Sequence, residues 1–74
     1  MIVPSQCRMA RAALNWSVKD LSERAKVGEA TIARFERSTV HPIPATLAAI
    51  QRALEAAGVE FIERGVRLKA DPAP

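Results

Sequence analysis

The chain has 74 residues, a formal net charge of +3 and a sequence pI of about 9.8. This length makes one domain with a small, marginally stable core, and the mild basicity is compatible with a polyanionic partner. One cysteine, Cys7, excludes an internal disulfide, one histidine, His41, leaves a Cys/His zinc site short of ligands, and no apolar run approaches the roughly 20 residues of a membrane span.

The N-terminus, MIVPSQCRMAR, lacks the basic start and apolar core of a signal peptide. Residues 1–4 read as extended. Pro4 and Ser5 then begin a helix, Pro suiting a first turn and Ser a cap. Cys7, Ala10, Ala13 and Leu14 form its apolar stripe, and Asn15 and Trp16 end it. Trp16, at a helix junction, reads as core rather than as a base-stacking residue. Cys7 reads as a small buried hydrophobe, since no histidine is placed to activate it.

Ser17-Val18-Lys19-Asp20 fits a capping box, with Asp20 also complementing the dipole of a second helix that runs to about Ala25. Leu21 and Ala25 share one face. Gly28 or Glu29 opens a third helix ending near Arg37 and Ser38, with Ile32 and Phe35 inward and Thr31, Arg34 and Arg37 outward. Only Lys26, Val27 and Gly28 separate the two helices, so they must cross steeply, as in a helix-turn-helix. Such a unit presents its second helix outward, most often to a major groove.

Two prolines make STVHPIP, residues 38–44, a surface loop. Pro44 starts the longest helix, PATLAAIQRALEAAG, whose inner face carries Leu47, Ile50, Leu54 and Ala57, and Gly58 closes it. The period then changes to two. Val59 and Phe61, then Val66 and Leu68, alternate with polar residues and read as strands. Glu63-Arg64-Gly65 is expected to be a three-residue hairpin loop with Gly in the left-handed position. The tail, ADPAP, reads as disordered. There is no internal repeat.

Taken in order, Leu14, Ser17, Leu21, Ala25, Val27, Thr31-Ile32, the Arg34-Phe35-Glu36-Arg37 run and the Pro44, Leu47, Ile50, Leu54 helix resemble the Cro/repressor (XRE) family of helix-turn-helix DNA-binding proteins over roughly residues 5–58. The resemblance implies a mainly α, lambda-repressor-like bundle of four helices, here followed by a short β-strand or hairpin where many relatives have a fifth helix. The expected organisation is a DNA-binding domain at 1–58, a β segment at 59–69 and a tail at 70–74. Two positions depart from the pattern. Lys26 stands where the family usually has Gly, and Val18 where it often has a phosphate-contacting Gln. Phosphate anchoring there falls to Ser17 or Lys19.

The resemblance also implies the contacts. Base edges would meet Glu29, Ala30, Thr31 and Arg34, with Ala33 and Arg37 nearby and Gly28 at the head of the helix. Arg34 is the candidate for guanine O6 and N7, Glu29 for cytosine N4, and Ala30 with the Thr31 methyl for a thymine methyl. Phosphates would meet Ser17, the first amides of the second helix, Lys19 and the Thr39–His41 loop. Similar proteins pair an Arg on the first helix with a Glu ending the third, which falls here on Arg11 and Glu36. The plainer alternatives are solvated charges at Arg34, Arg37 and His41, and two unrelated surface charges at Arg11 and Glu36.

Two functions follow. One is a sequence-specific double-stranded DNA-binding transcriptional regulator, in the cytoplasm that a free cysteine suits, acting as a homodimer on a palindromic site. A second subunit is also the one support left for so small a core. Val59, Phe61, Ile62, Val66 and Leu68 are the expected dimer interface, because the strand edges need covering. The other is a protein-interaction module, such as an antitoxin or partner-bound scaffold, on the same fold. An enzyme is not expected, for no nucleophile–base set, carboxylate pair or phosphate-cradling loop is present. No cofactor, metal or membrane partner is expected.

Overall fold

A computed structural model describes residues 2–69, so the tail expected to be disordered, 70–74, lies outside the described residues. Four helices precede a β-hairpin: α1 (Pro4–Leu14), α2 (Val18–Ala25), α3 (Glu29–Glu36), α4 (Pro44–Ala56), β1 (Val59–Ile62) and β2 (Gly65–Leu68). This is the mainly helical architecture expected above. No helix among the described residues is long and apolar enough to cross a membrane.

Helix boundaries follow local chemistry. Pro4 takes the first helical position of α1, where its fixed φ fits and its missing N–H costs nothing. The cap is therefore Val3, not Ser5, and the Val3 amide is satisfied by Gln6 Oε1 at 3.0 Å. Ser17 caps α2 reciprocally with Asp20. The Asp20 amide donates to Ser17 Oγ at 3.0 Å, and the Ser17 amide donates to the Asp20 carboxylate at 2.9 Å. Pro44 repeats the Pro4 solution at the head of α4. Gly58, with φ +108°, turns the chain from α4 into β1.

Ile2, Cys7, Ala10, Leu21, Ala25, Ile32, Phe35, Ile50, Leu54 and Val59 form one core to which every helix contributes. Leu14, Trp16 and Val18 pack half-buried against it. Ala13, expected on the inner stripe of α1, is exposed instead. The stripe runs through Cys7, Ala10 and Leu14, shifted toward Gln6 by the hairpin that covers that side of the helix.

β1 and β2 pair antiparallel, Val59 opposite Leu68 and Phe61 opposite Val66. The hairpin packs against α1 and, through β1, against α4. Its loop is Glu63-Arg64 alone. Gly65 is already paired with Ile62, and Arg64 rather than Gly65 takes the left-handed backbone, φ +63°. Gln6 ties the hairpin down. Its Nε2 donates to Ile62 O at 2.9 Å and Gly65 O at 3.3 Å, while its Oε1 holds the start of α1.

Candidate nucleic-acid interface

The joint between α2 and α3 is held by one serine. The Lys26 amide donates to Ser22 O at 2.9 Å and the Val27 amide to the same oxygen at 3.3 Å. Ser22 Oγ then donates to Val27 O at 2.6 Å. Lys26 sits in left-handed backbone, φ +59°, where a side chain is disfavoured by about 1 kcal/mol. The two hydrogen bonds that Ser22 O accepts and the one that its hydroxyl donates offset part of that strain and keep the turn tight.

Beyond the joint, α3 buries Ile32, Phe35 and Glu36 and turns its other face outward. Gly28, Glu29, Ala30, Arg34 and Arg37 are exposed, while Thr31 and Ala33 are half-buried. Ser17 and Lys19 at the head of α2 are exposed, as is His41 in the following loop. Of the four amides an α-helix leaves unpaired at its start, those of Asp20 and Leu21 in α2 go to Ser17. The Val18 and Lys19 amides are the two left to meet an anion. The Asp20 carboxylate occupies the same end. The Ser17 amide holds its pKa below the ordinary value, with smaller contributions from the Ser17 hydroxyl and from Arg24 and Lys19.

What aims α3 is a network rooted in Glu36, which is 5% exposed. Arg11 grips its carboxylate with two donors, Nη2 to Oε1 at 2.6 Å and Nε to Oε2 at 2.7 Å. Arg11 Nη1 reaches Trp16 O at 3.0 Å. One guanidinium therefore links the end of α3 to the residue just before the head of α2. Burial pushes the Glu36 carboxyl up, but the Arg11 and Cys7 hydrogen bonds and the nearby guanidinium charges outweigh it, and the group sits below its ordinary value. The Cys7 thiol is raised by burial first and by Glu36 second, so it remains a neutral donor.

Several contributors escape a reading of the sequence. Arg8, one turn from Arg11 on the same side of α1, donates through Nη1 to the backbone oxygen of Glu36. The i, i+3 spacing of the two arginines is its only trace. Arg24 stacks its guanidinium 4.9 Å from the Trp16 ring centroid. Trp16 is thus half-buried beneath a cation and packed on the core.

The hairpin residues divide. Val59 is sealed in the core at 0% exposure, so it offers nothing to a second subunit, because the face of the ribbon that carries it is the one folded onto the helices. Phe61 and Val66 lie half-buried on that same face. Ile62 on the other face and Leu68 at the strand end remain exposed, at 42% and 45%. Beside Ile62 on the outer face, Arg67 Nε meets Glu60 Oε1 at 2.6 Å.

A family model described as helix-turn-helix matches residues 8–61, from the second turn of α1 through most of β1. No curated protein matches the chain.

Proposed function

The chain belongs to the Cro/C1-type (XRE) helix-turn-helix family of DNA-binding regulators, and from that premise we propose that it reads double-stranded DNA sequence-specifically as a homodimer, setting α3 into the major groove of each half of a palindromic site. The observation that carries this reading is the Arg11–Glu36 pair, a half-buried guanidinium on a buried carboxylate, which holds α3 by its inner side while Arg34, Arg37 and Glu29 are exposed. Arg34 is assigned to guanine, Glu29 to cytosine N4, and Ala30 with the Thr31 methyl to thymine. Ser17, Lys19, His41 and the backbone at Gly28 are assigned to the flanking phosphates. The regulator works in the cytoplasm on this reading.

Homodimerisation rests on economy of surface. One module buries too little to bind a site tightly alone, and two-fold pairing doubles the contact. The pairing surface is assigned to Ile62, Leu68 and the outer parts of Phe61 and Val66.

The deciding experiment is selection of bound duplexes from a random pool, repeated across salt concentrations. A palindromic consensus whose affinity falls steeply with salt supports the reading. The absence of any enriched sequence together with negligible retention at low salt sinks it.

One observation favours a second reading. Val18 packs half-buried on the core, and both Asp20 and Glu29 place carboxylates at the heads of the two helices that would face phosphate. A protein-interaction module, such as an antitoxin or a partner-bound scaffold, would carry those charges without penalty. The same selection separates the two.

A further inference from the structure

An α-helix ends with four carbonyls that have no partner within the helix. In α3 each of them is satisfied. Ala33 O accepts from the Arg37 amide at 3.1 Å, and Phe35 O from the Ser38 amide at 2.9 Å. Arg34 O accepts from the Thr39 amide at 2.9 Å and from Thr39 Oγ1 at 3.0 Å. Those donors all belong to the chain that follows the helix and move with it. Glu36 O is different: its partner is Arg8 Nη1, on α1. The Glu36 carboxylate is gripped from the same helix by Arg11. A side chain alone can swivel about its own bonds, whereas a second hold on the backbone oxygen of the same residue removes that freedom. A cation at this end also complements the dipole of α3.

We propose that Arg8 is a positioning residue for DNA reading, fixing the direction in which α3 is presented by anchoring its last backbone carbonyl to α1 without touching DNA itself. This inference rests on the DNA-binding reading above. The bases are assigned to Arg34 and its neighbours, and a small swing of the helix end misaligns a bidentate contact while leaving charge-driven binding intact.

The test compares Arg8→Ala, Arg8→Lys and the unaltered protein on the selected duplex and on a scrambled one, over a range of salt. Arg8→Ala is expected to lower affinity for the selected duplex by about tenfold, within the range that one bidentate base contact contributes. Affinity for the scrambled duplex and the salt slope stay as they were, and Arg8→Lys restores most of the loss. Amide exchange without DNA supplies the second readout, with faster exchange expected at Arg37, Ser38 and Thr39 in Arg8→Ala. Equal loss on both duplexes with a shallower salt slope makes Arg8 a phosphate contact and overturns the proposal, as does unchanged affinity with unchanged exchange. If the unaltered protein binds neither duplex, the functional reading fails. The exchange result then still decides whether Arg8 holds the helix.

Discussion

The Cys7 thiol donates to Glu36 Oε2 across 3.1 Å, inside the core and from the same helix as Arg11. The carboxylate thus receives three donors and is kept ionised despite its burial. The unfolded chain takes up this proton near the ordinary value of 4.5, the folded chain only at lower pH. The stability that Glu36 contributes is therefore complete above about pH 4.5 and is lost as pH falls through its folded value. Urea unfolding between pH 7 and pH 3 is expected to show a flat midpoint that drops in the acid range. Glu36→Gln, already destabilised at neutral pH, should show a shallower drop. The drop does not vanish, because Asp20 and Glu60 are also held below their ordinary values. An equally steep acid limb in Glu36→Gln would rule this account out.

Removing the cation is the harsher change. Arg11→Met leaves the Glu36 carboxylate buried with the Cys7 thiol as its one remaining side-chain partner among the described residues. Breaking a buried pair from one side costs about 3–5 kcal/mol, against a total of roughly 4–11 kcal/mol for a domain this small. Arg11→Met is expected to melt at least about 12 °C below the unaltered protein by circular dichroism. A melting temperature within a few degrees of the unaltered protein would mean that the pair is no more than a surface ion pair.

Arg34 carries the specificity prediction. It is exposed on α3, and its side chain makes no hydrogen bond or ion pair among the described residues. Arg34→Ala should relax selection at one position of each half-site and weaken the cognate complex by about 1–3 kcal/mol per subunit. Stability should change little, since the side chain packs on nothing in the core. An unchanged consensus from the altered protein would remove Arg34 from the base-reading set.

How much of this was legible before the structure depends on the distance between partners. Ser17 and Asp20 lie three residues apart, so the capping box reads directly from spacing. Leu21, Ala25, Ile32 and Phe35 declare themselves by helical period. Gln6 does not, because the carbonyls it holds are 56 and 59 residues away, and nothing near Gln6 marks it as a clamp. In the hairpin, period two separates Val59 from Glu60 but says nothing about which face the helices cover. Hence the pattern alone places Val59 at a subunit interface, whereas it lies in the core. The hairpin loop shows a third limit. Gly65 is the residue best suited to left-handed backbone, yet the pairing register places it in β2 and leaves Arg64 to make the turn. The candidate interface is legible in the same uneven way. The helices and their outward residues follow from pattern, the Arg11–Glu36 pair from resemblance, and the Arg8 contact from the fold, since its partner lies 28 residues away.

The division within the hairpin makes a prediction about assembly. Ile62 and Leu68 are the exposed apolar residues of the ribbon, and Gln6 and Val59 hold the ribbon to the rest of the chain. If two copies pair here, Ile62→Lys and Leu68→Lys together should yield a monomer by light scattering with an unchanged circular dichroism spectrum. Weaker DNA binding should follow, since the two half-sites are then bound independently. Val59→Lys should instead unfold the monomer, as a buried ammonium has no partner there. A dimer that survives both surface lysines has its interface elsewhere.

The joint between α2 and α3 offers the opposite kind of test, a substitution that should strengthen the fold. Lys26 has φ +59° and its side chain is exposed, so its Cβ adds local strain with no packing in return. Glycine removes that strain but gains more freedom in the unfolded chain, which cancels part of the benefit. The net expectation for Lys26→Gly is a gain of about 0.5–1 kcal/mol. For a domain of this size that corresponds to a rise in melting temperature of roughly 2–8 °C. Ser22→Ala should act in the other direction by about 1 kcal/mol, because Val27 O loses the hydroxyl that satisfies it. Asn15 makes a useful control. It too is left-handed, φ +58°, but asparagine tolerates that backbone, so Asn15→Gly should gain less than Lys26→Gly. If the two glycine substitutions shift the melting temperature equally, the strain assigned to Lys26 is not what distinguishes this turn.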